Sequence, residues 1–235
     1  MSINDKNKVK KIALDVDGVL LDFMPAFDEA AKIILGRDIV VNKDEDQNDH
    51  YHLGLRVEAS QDKVEEILEY MQTSRMYANL KALEGAREAV KAIAEDGYEI
   101  YVVTALPEKA KEMRLENLVN EIGLIPKEIY CVGMGMSKAE ALKQVNPDVF
   151  IDDRVKYLAS APFIYHLALL DQKESQEDKG FLVDVHVNSL KEWTEKHMPR
   201  VSKKLNRHYS QNMPLQQDLK LENVETNLQR VRMKM

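Results

Sequence analysis

Lys11-Ile12-Ala13-Leu14-Asp15-Val16-Asp17-Gly18-Val19-Leu20 is the stretch that decides how this chain folds. Ile12, Ala13, Leu14 and Val16 make a short apolar run that stops at Gly18, the pattern of a strand buried on both faces. A strand over residues 11–17 is expected, with Asp15 and Asp17 at its carboxyl end. The same signal recurs downstream with helical stretches between. Residues 84–95 have helical spacing and meet Gly97, and 99–103 are β-type. Residues 108–121 are helical up to Gly123 and Pro126. A third strand is expected over 128–132, a helix over 138–144 and a fourth strand over 149–151. Further strands are expected over 164–169 and 182–185, before a closing helix over 188–197 capped by Asn188 or Ser189. Strands alternating with helices need crossover connections. The expected fold is therefore α/β: a Rossmann-like open parallel sheet with helices on both faces.

One long excursion interrupts the alternation. Residues 24–35 place Phe27, Ala30, Ala31 and Ile34 on one helical side, and Gly36 stops them. Residues 37–60 are polar and irregular, with an acidic cluster over 44–49. Residues 61–71 form a second amphipathic helix carrying Val64, Ile67, Leu68 and Met71 inward. The expected organisation is a core domain from residues 1–21 and 81–199, a small helical cap over 22–80, and a partly helical tail over 200–235. That tail begins basic (Arg200, Lys203, Lys204, Arg207) and later carries Leu221, Val224, Leu228 and Val231 at spacings of three and four. The stripe is shorter than a coiled coil needs. Its first reading is a helix docked on its own domain or a frayed end; the second is a homodimer or partner contact.

Bulk composition narrows the function classes. The chain has 235 residues, 44% hydrophobic, with a formal net charge of -7, which suits a sizeable core plus a small lobe. So acidic a chain lacks the broad positive field that general nucleic-acid or anionic-membrane binding requires. A single cysteine, Cys131, excludes an intrachain disulfide and a thiolate metal cluster. The polar, lysine-rich start has no apolar run behind it, and no stretch approaches the ~20 apolar residues that cross a bilayer. A soluble, cytoplasmic protein is expected.

In open parallel sheets, ligands bind beyond the carboxyl ends of the strands. Asp15 and Asp17 end the first strand, Thr104-Ala105 the second, Lys138 begins the helix after the third, and Asp152-Asp153 follow the fourth. Taken singly, each has an ordinary explanation: Asp and Thr cap helices, and lysines are usually solvated. Converging on one rim, the carboxylates need a cation to be buried together. Oxygen ligands without His or Cys select Mg²⁺ over zinc, and Mg²⁺ makes a phosphate the natural remaining ligand.

Asp15-Val16-Asp17-Gly18-Val19-Leu20, Thr104, Lys138 and Ile151-Asp152-Asp153 resemble, in type, order and strand-end placement, the four motifs of the haloacid dehalogenase-like (HAD) hydrolases. Within that superfamily, Tyr51, Leu55-Arg56, Met76-Tyr77, Leu80 and Gly85-Ala86 are similar to the 5'(3')-deoxyribonucleotidases. The resemblance implies a Mg²⁺-dependent phosphomonoesterase that works through an aspartyl-phosphate. Its substrate would be a small soluble phosphate ester such as a deoxynucleoside 5'-monophosphate. The resemblance further implies Asp15 as nucleophile and Asp17 as general acid/base. Asp15, the Asp17 carbonyl and Asp152 would hold the metal, with Asp153 orienting them. Thr104, the Ala105 amide and Lys138 would bind the phosphoryl group. Asp17 also speaks for phosphate esters over carbon–halogen bonds, whose cleavage needs no acid. In the cap, Phe23, Tyr51 and His52 are candidates to stack on a base, whereas Phe27 reads first as core. Ala105 after Thr104 and the acidic 44–49 stretch sit less well with a nucleotide. Alternatives are a sugar phosphate as substrate, or an idle scaffold that binds a partner through its tail. A phospho-accepting receiver module shares the residue types, but it carries its paired acids after the first strand and its phosphorylated Asp after the third, the reverse of the order here.

Overall fold

The computed structural model describes residues 9–39, 52–170 and 183–212. Contacts divide the chain into two units, Val9–Pro199 and a second that takes in residues from Arg200 onward. In the first unit, six parallel strands form one sheet in the order β5-β4-β1-β6-β7-β8. They are β1 (Lys10–Leu14), β4 (Tyr98–Thr104), β5 (Ile129–Cys131), β6 (Val149–Asp152), β7 (His166–Leu170) and β8 (Val185–Val187). The chain builds outward from β1 to β4 and β5, then crosses back to β6 on the other side of β1. That reversal opens a crevice at the carboxyl end of β1, where a sheet of this kind takes its ligand.

Strand alternation explains how the sheet is covered. Ala13 of β1 joins Val103, Phe150 and Leu167 in a buried cluster with Leu142 of α6 (Ala139–Val145) and Leu158 of α7 (Val155–Ala159). Ile12 and Leu14 point to the opposite face and are equally buried, so β1 meets water on neither side. On α4 (Ala86–Glu95) the residues Ala86, Ala89, Val90 and Ile93 form the buried stripe, and this helix packs against β4 and α8 (Leu190–Lys196). Ser189 settles the choice of cap for α8. Its hydroxyl accepts from the Glu192 amide at 3.0 Å, and the Glu192 carboxylate accepts from the Asn188 amide at 2.8 Å.

Several expected boundaries shift. β1 stops at Leu14, three residues short of the expected end. Beyond it the Val16 carbonyl accepts from the amides of Val19, Leu20 and Leu21, curling the chain into a tight turn that a strand cannot continue. The helix expected over 108–121 is a 3₁₀ turn at Glu108–Ala110, α5 (Lys111–Asn117) and a wider turn at Leu118–Ile122, stopped by Gly123. The last strand begins at Val185 and not near residue 182.

The excursion begins and ends in a two-stranded antiparallel ladder, β2 (Leu21–Asp22) with β3 (Lys81–Ala82), too short to have been visible as a strand pattern. Between them run α1 (Met24–Leu35), α2 (Leu53–Arg56), α3 (Gln61–Thr73) and a 3₁₀ turn at Met76–Ala78. Pro25 opens α1, and Gly36 ends it in the left-handed conformation at φ 65°. Phe27, Ala30 and Ala31 of α1 meet Ile67 and Met71 of α3 in a cluster that continues to Tyr77, Leu106 and Ala110. Phe27 is therefore core, wholly buried. The excursion is thus sealed onto the segment that follows β4. The Asn117 side chain strengthens that seal, accepting from the Leu80 amide at 3.2 Å and donating to the Leu80 carbonyl at 2.9 Å.

In the second unit, the described part is the course of α9 (Met198–Asn212) that carries Arg200, Lys203, Lys204 and Arg207. Leu221, Val224, Leu228 and Val231, on which the dimer expectation rested, lie outside the described residues, as do the acidic 44–49 stretch and Tyr51. Among the described residues, no helix is long and apolar enough to cross a membrane.

Candidate active site

The rim residues meet at the carboxyl ends of β1, β4 and β6. Hydrogen bonding between the Asp15 amide and the Ile151 carbonyl, at 3.0 Å, keeps the first residue past β1 in register with β6. This brings Asp15 beside Asp152. Lys138, which begins the first turn of α6, is wholly buried, its Nζ 2.8 Å from Asp15 Oδ1 and 2.7 Å from Asp152 Oδ2. Burial alone would lower its pKa, but the two carboxylates outweigh that and raise it, so the ammonium form is held firmly. The other oxygen of Asp152 accepts from the Arg154 amide at 2.9 Å.

Asp153 completes the cluster. One carboxylate oxygen each from Asp15, Asp152 and Asp153 lie within 4.8 Å of one another. A side chain on Gly18 would prevent this, because its Cβ would stand 2.4 Å from Asp153 Oδ2, and Gly18 holds φ at 84°. Burial, then the neighbouring carboxylates, raise the pKa of Asp153 well above the usual range, and burial lifts Asp152 to about 7. The three carboxylates gather around the Lys138 ammonium, with the Arg154 guanidinium offsetting part of the rise in the Asp153 pKa. Oxygen-only donors at that separation suit Mg²⁺.

Thr104 ends β4, buried, with its hydroxyl lacking a hydrogen-bond partner among the described residues. Such a group is ready to bond an incoming oxyanion. With Asp15, Asp17, Ala105, Phe23 and His52 it lines a cleft of roughly 550 Å³ between the sheet rim and the excursion. The Phe23 ring stacks on Phe27 at 5.8 Å and on Tyr77 at 6.5 Å, forming an aromatic floor.

Residues 7–177, which carry all of these rim residues, match the family described as 5' nucleotidase, deoxy (Pyrimidine), cytosolic type C. The chain belongs to that family. Solved structures of other HAD hydrolases share its fold. A haloacid dehalogenase-like hydrolase from Xanthomonas campestris is 15% identical at a TM-score of 0.53, with 86% of this chain and 99% of that one covered. A HAD family hydrolase from Deinococcus radiodurans R1, solved with phosphate and sodium, is 15% identical at 0.54, covering 85% and 98%. CbbY from Rhodobacter sphaeroides, in complex with phosphate, is 14% identical at 0.54, covering 79% and 96%. A search of curated proteins returns no match. As a member of the type C 5'-nucleotidase family, the chain is an enzyme, a phosphoric monoester hydrolase.

For this nucleotidase family member, the site holds residues that sequence reading passed over. Asp17 stands outside the acidic trio and pairs with Arg114 of α5, whose Nη2 lies 2.7 Å from Oδ1 and 2.9 Å from Oδ2. Burial raises the Asp17 pKa, and the guanidinium works against that rise. Tyr77, buried at the end of the excursion, packs its ring 5.9 Å from the Arg114 guanidinium. A signal for Arg114 existed. It stands four after Ala110 and four before Leu118, a charged residue on the buried stripe of a helix. Tyr157, whose ring lies 4.4 Å from Lys138 Nζ, gave none.

Proposed function

We propose that the protein is a Mg²⁺-dependent phosphomonoesterase of the cytoplasm, acting on deoxynucleoside 5'-monophosphates through an aspartyl-phosphate on Asp15. The observation that carries this reading is Lys138 clamped between Asp15 and Asp152, with Asp153 alongside and the Thr104 hydroxyl, unpartnered among the described residues, at the cleft that Asp15 also lines. Asp15, the Asp17 carbonyl and Asp152 would hold the metal. Asp153 either orients them or joins them. Once bound, Mg²⁺ supplies charge neutralisation for the dianionic phosphoryl group.

The side chains account for the rest. Asp15 carboxylate attacks phosphorus as the bond to the leaving oxygen breaks, and Asp17 gives that oxygen a proton. Asp17 then takes a proton from water, whose oxygen attacks phosphorus, freeing Asp15 and inorganic phosphate. Thr104, the Ala105 amide and Lys138 bind the phosphoryl oxygens, where preorganised donors matter most. The excursion over 22–80 acts as a cap that excludes water, with Phe23 and His52 at the base-binding end. The family's name, deoxy and pyrimidine, together with the Phe23–Tyr77 stack, supports a nucleobase there.

Asp15→Asn is expected to abolish hydrolysis of p-nitrophenyl phosphate in a protein that melts as a folded domain, and chelation of divalent metal is expected to do the same to the unaltered enzyme. Activity surviving either treatment overturns the mechanism. A screen of deoxynucleotides, ribonucleotides and sugar phosphates should favour deoxypyrimidine monophosphates. Preference for a sugar phosphate would redirect the substrate assignment and leave the chemistry standing.

A further inference from the structure

We infer that Arg114 is a positioning residue that fixes the carboxyl group of Asp17 on the line of the departing oxygen. The inference rests on Asp17 being the general acid proposed above. Arg114 is wholly buried, yet its only hydrogen-bonded partner among the described residues is a carboxylate that lines the cleft. One nitrogen, Nη2, straddles both Asp17 oxygens, while Nε and Nη1 are buried without a hydrogen-bond partner among the described residues. An ion pair that served only to stabilise the fold would be poorly built this way. Buried N–H groups left unbonded are costly, and an apolar side chain of similar volume would pack there without that cost. Asp17 for its part keeps a quarter of its side chain exposed and needs no buried partner for solubility.

What the arrangement does accomplish is orientation. Asp17 lies on the turn past β1, its backbone bridged to Leu21, and the carboxyl's orientation is left to side-chain contacts. Left alone, the carboxyl would be free to turn toward the water of the cleft. Arg114 holds it on the α5 side by bonding both of its oxygens through Nη2. The guanidinium packs against the Tyr77 ring, and one turn further along α5 Asn117 grips Leu80. A single helix thus holds both the acid and the return of the excursion over the cleft. One oxygen of Asp17 can keep its bond from Nη2 while the other carries the proton to be delivered.

The test compares two substrates of similar shape and unequal need for an acid. p-Nitrophenyl phosphate releases a weakly basic phenolate, whereas benzyl phosphate releases a strongly basic alkoxide. kcat/KM reports the step in which that group departs. For Arg114→Met, kcat/KM on benzyl phosphate is expected to fall about 10²-fold or more, within the range of one general acid, while the loss on p-nitrophenyl phosphate stays under about tenfold. Arg114→Lys, which keeps the charge on a shorter, non-planar side chain, should show the same split in smaller measure. Guanidinium ion added to Arg114→Ala should restore benzyl phosphate turnover preferentially. Equal losses on both substrates in Arg114→Met, or a wild-type ratio in Arg114→Lys, overturn the inference. Asp17→Asn run in parallel separates the two readings. If it shows the split and the Arg114 variants do not, only the positioning role falls; if Asp17→Asn shows none, the general-acid reading falls and takes this one with it.

Discussion

At the scale of single residues, the site is built from small geometric necessities. Gly18 matters because two constraints coincide on it. Its positive φ turns the chain after Asp17, and its missing side chain admits the Asp153 carboxylate. Gly18→Ala is expected to displace Asp153 and weaken Mg²⁺ binding by about 10–100-fold, the range found when a group orienting metal ligands is lost. Calorimetric titration of Mg²⁺ checks this, and unchanged affinity would show that Asp153 plays no part in shaping the metal site. Lys138 teaches the converse lesson. As a letter in the chain it looked like any solvated lysine, and it is wholly buried because two carboxylates from separate strands close on it.

Among elements, the helices report which local signals decide an end. Gly36 and Gly123 stop α1 and the α5 segment in left-handed conformations, and both stops were readable. For α8 the Ser189–Glu192 arrangement is a local device as well, with Ser189 bonding the Glu192 amide. Ser189→Ala is expected to cost about 1 kcal/mol of stability, measured by urea denaturation, the usual value of such a cap. A loss near zero would mean that packing of Trp193 alone holds the helix start. Lys196 and the Asn188 amide hold the Glu192 pKa down to about 2, so its contribution is full at neutral pH and is lost progressively as pH falls from the ordinary carboxylate range through that value. The end of β1 and the β2–β3 ladder were not readable in the same way. Val16 continues the apolar pattern of β1, yet its carbonyl turns back to three amides, and a two-residue ladder has no periodicity to detect.

Over the whole molecule, charge at the rim couples to stability. Asp152 and Asp153 have pKa values raised in the folded state, chiefly by burial. A raised acid stabilises the fold below its unfolded pKa, and that contribution is lost as pH rises through the folded value, about 7 for Asp152. Metal-free protein should therefore lose stability from this pair as pH rises. The proposed Mg²⁺ would compete with those protons for the same carboxylate oxygens. The gain in Tm on adding Mg²⁺ is expected to be larger at about pH 8 than at about pH 5.5. Differential scanning fluorimetry with and without Mg²⁺ decides it, and a gain independent of pH would contradict the charge accounting.

By itself the sequence determined the parallel α/β sheet, because strand and helix periods and their glycine stops are local properties that survive without partners. It also determined which residues reach the rim, since a carboxylate or hydroxyl just past a buried apolar run is left at the strand's end whatever the packing. Tertiary structure alone decided what those residues do to one another. The burial of Lys138, the crowding of Asp153 against Gly18 and the reach of Arg114 to Asp17 each join segments far apart in the chain. Their energetics depend on distance and exclusion of water, and neither quantity exists until β1, β4, β6 and α5 are packed side by side.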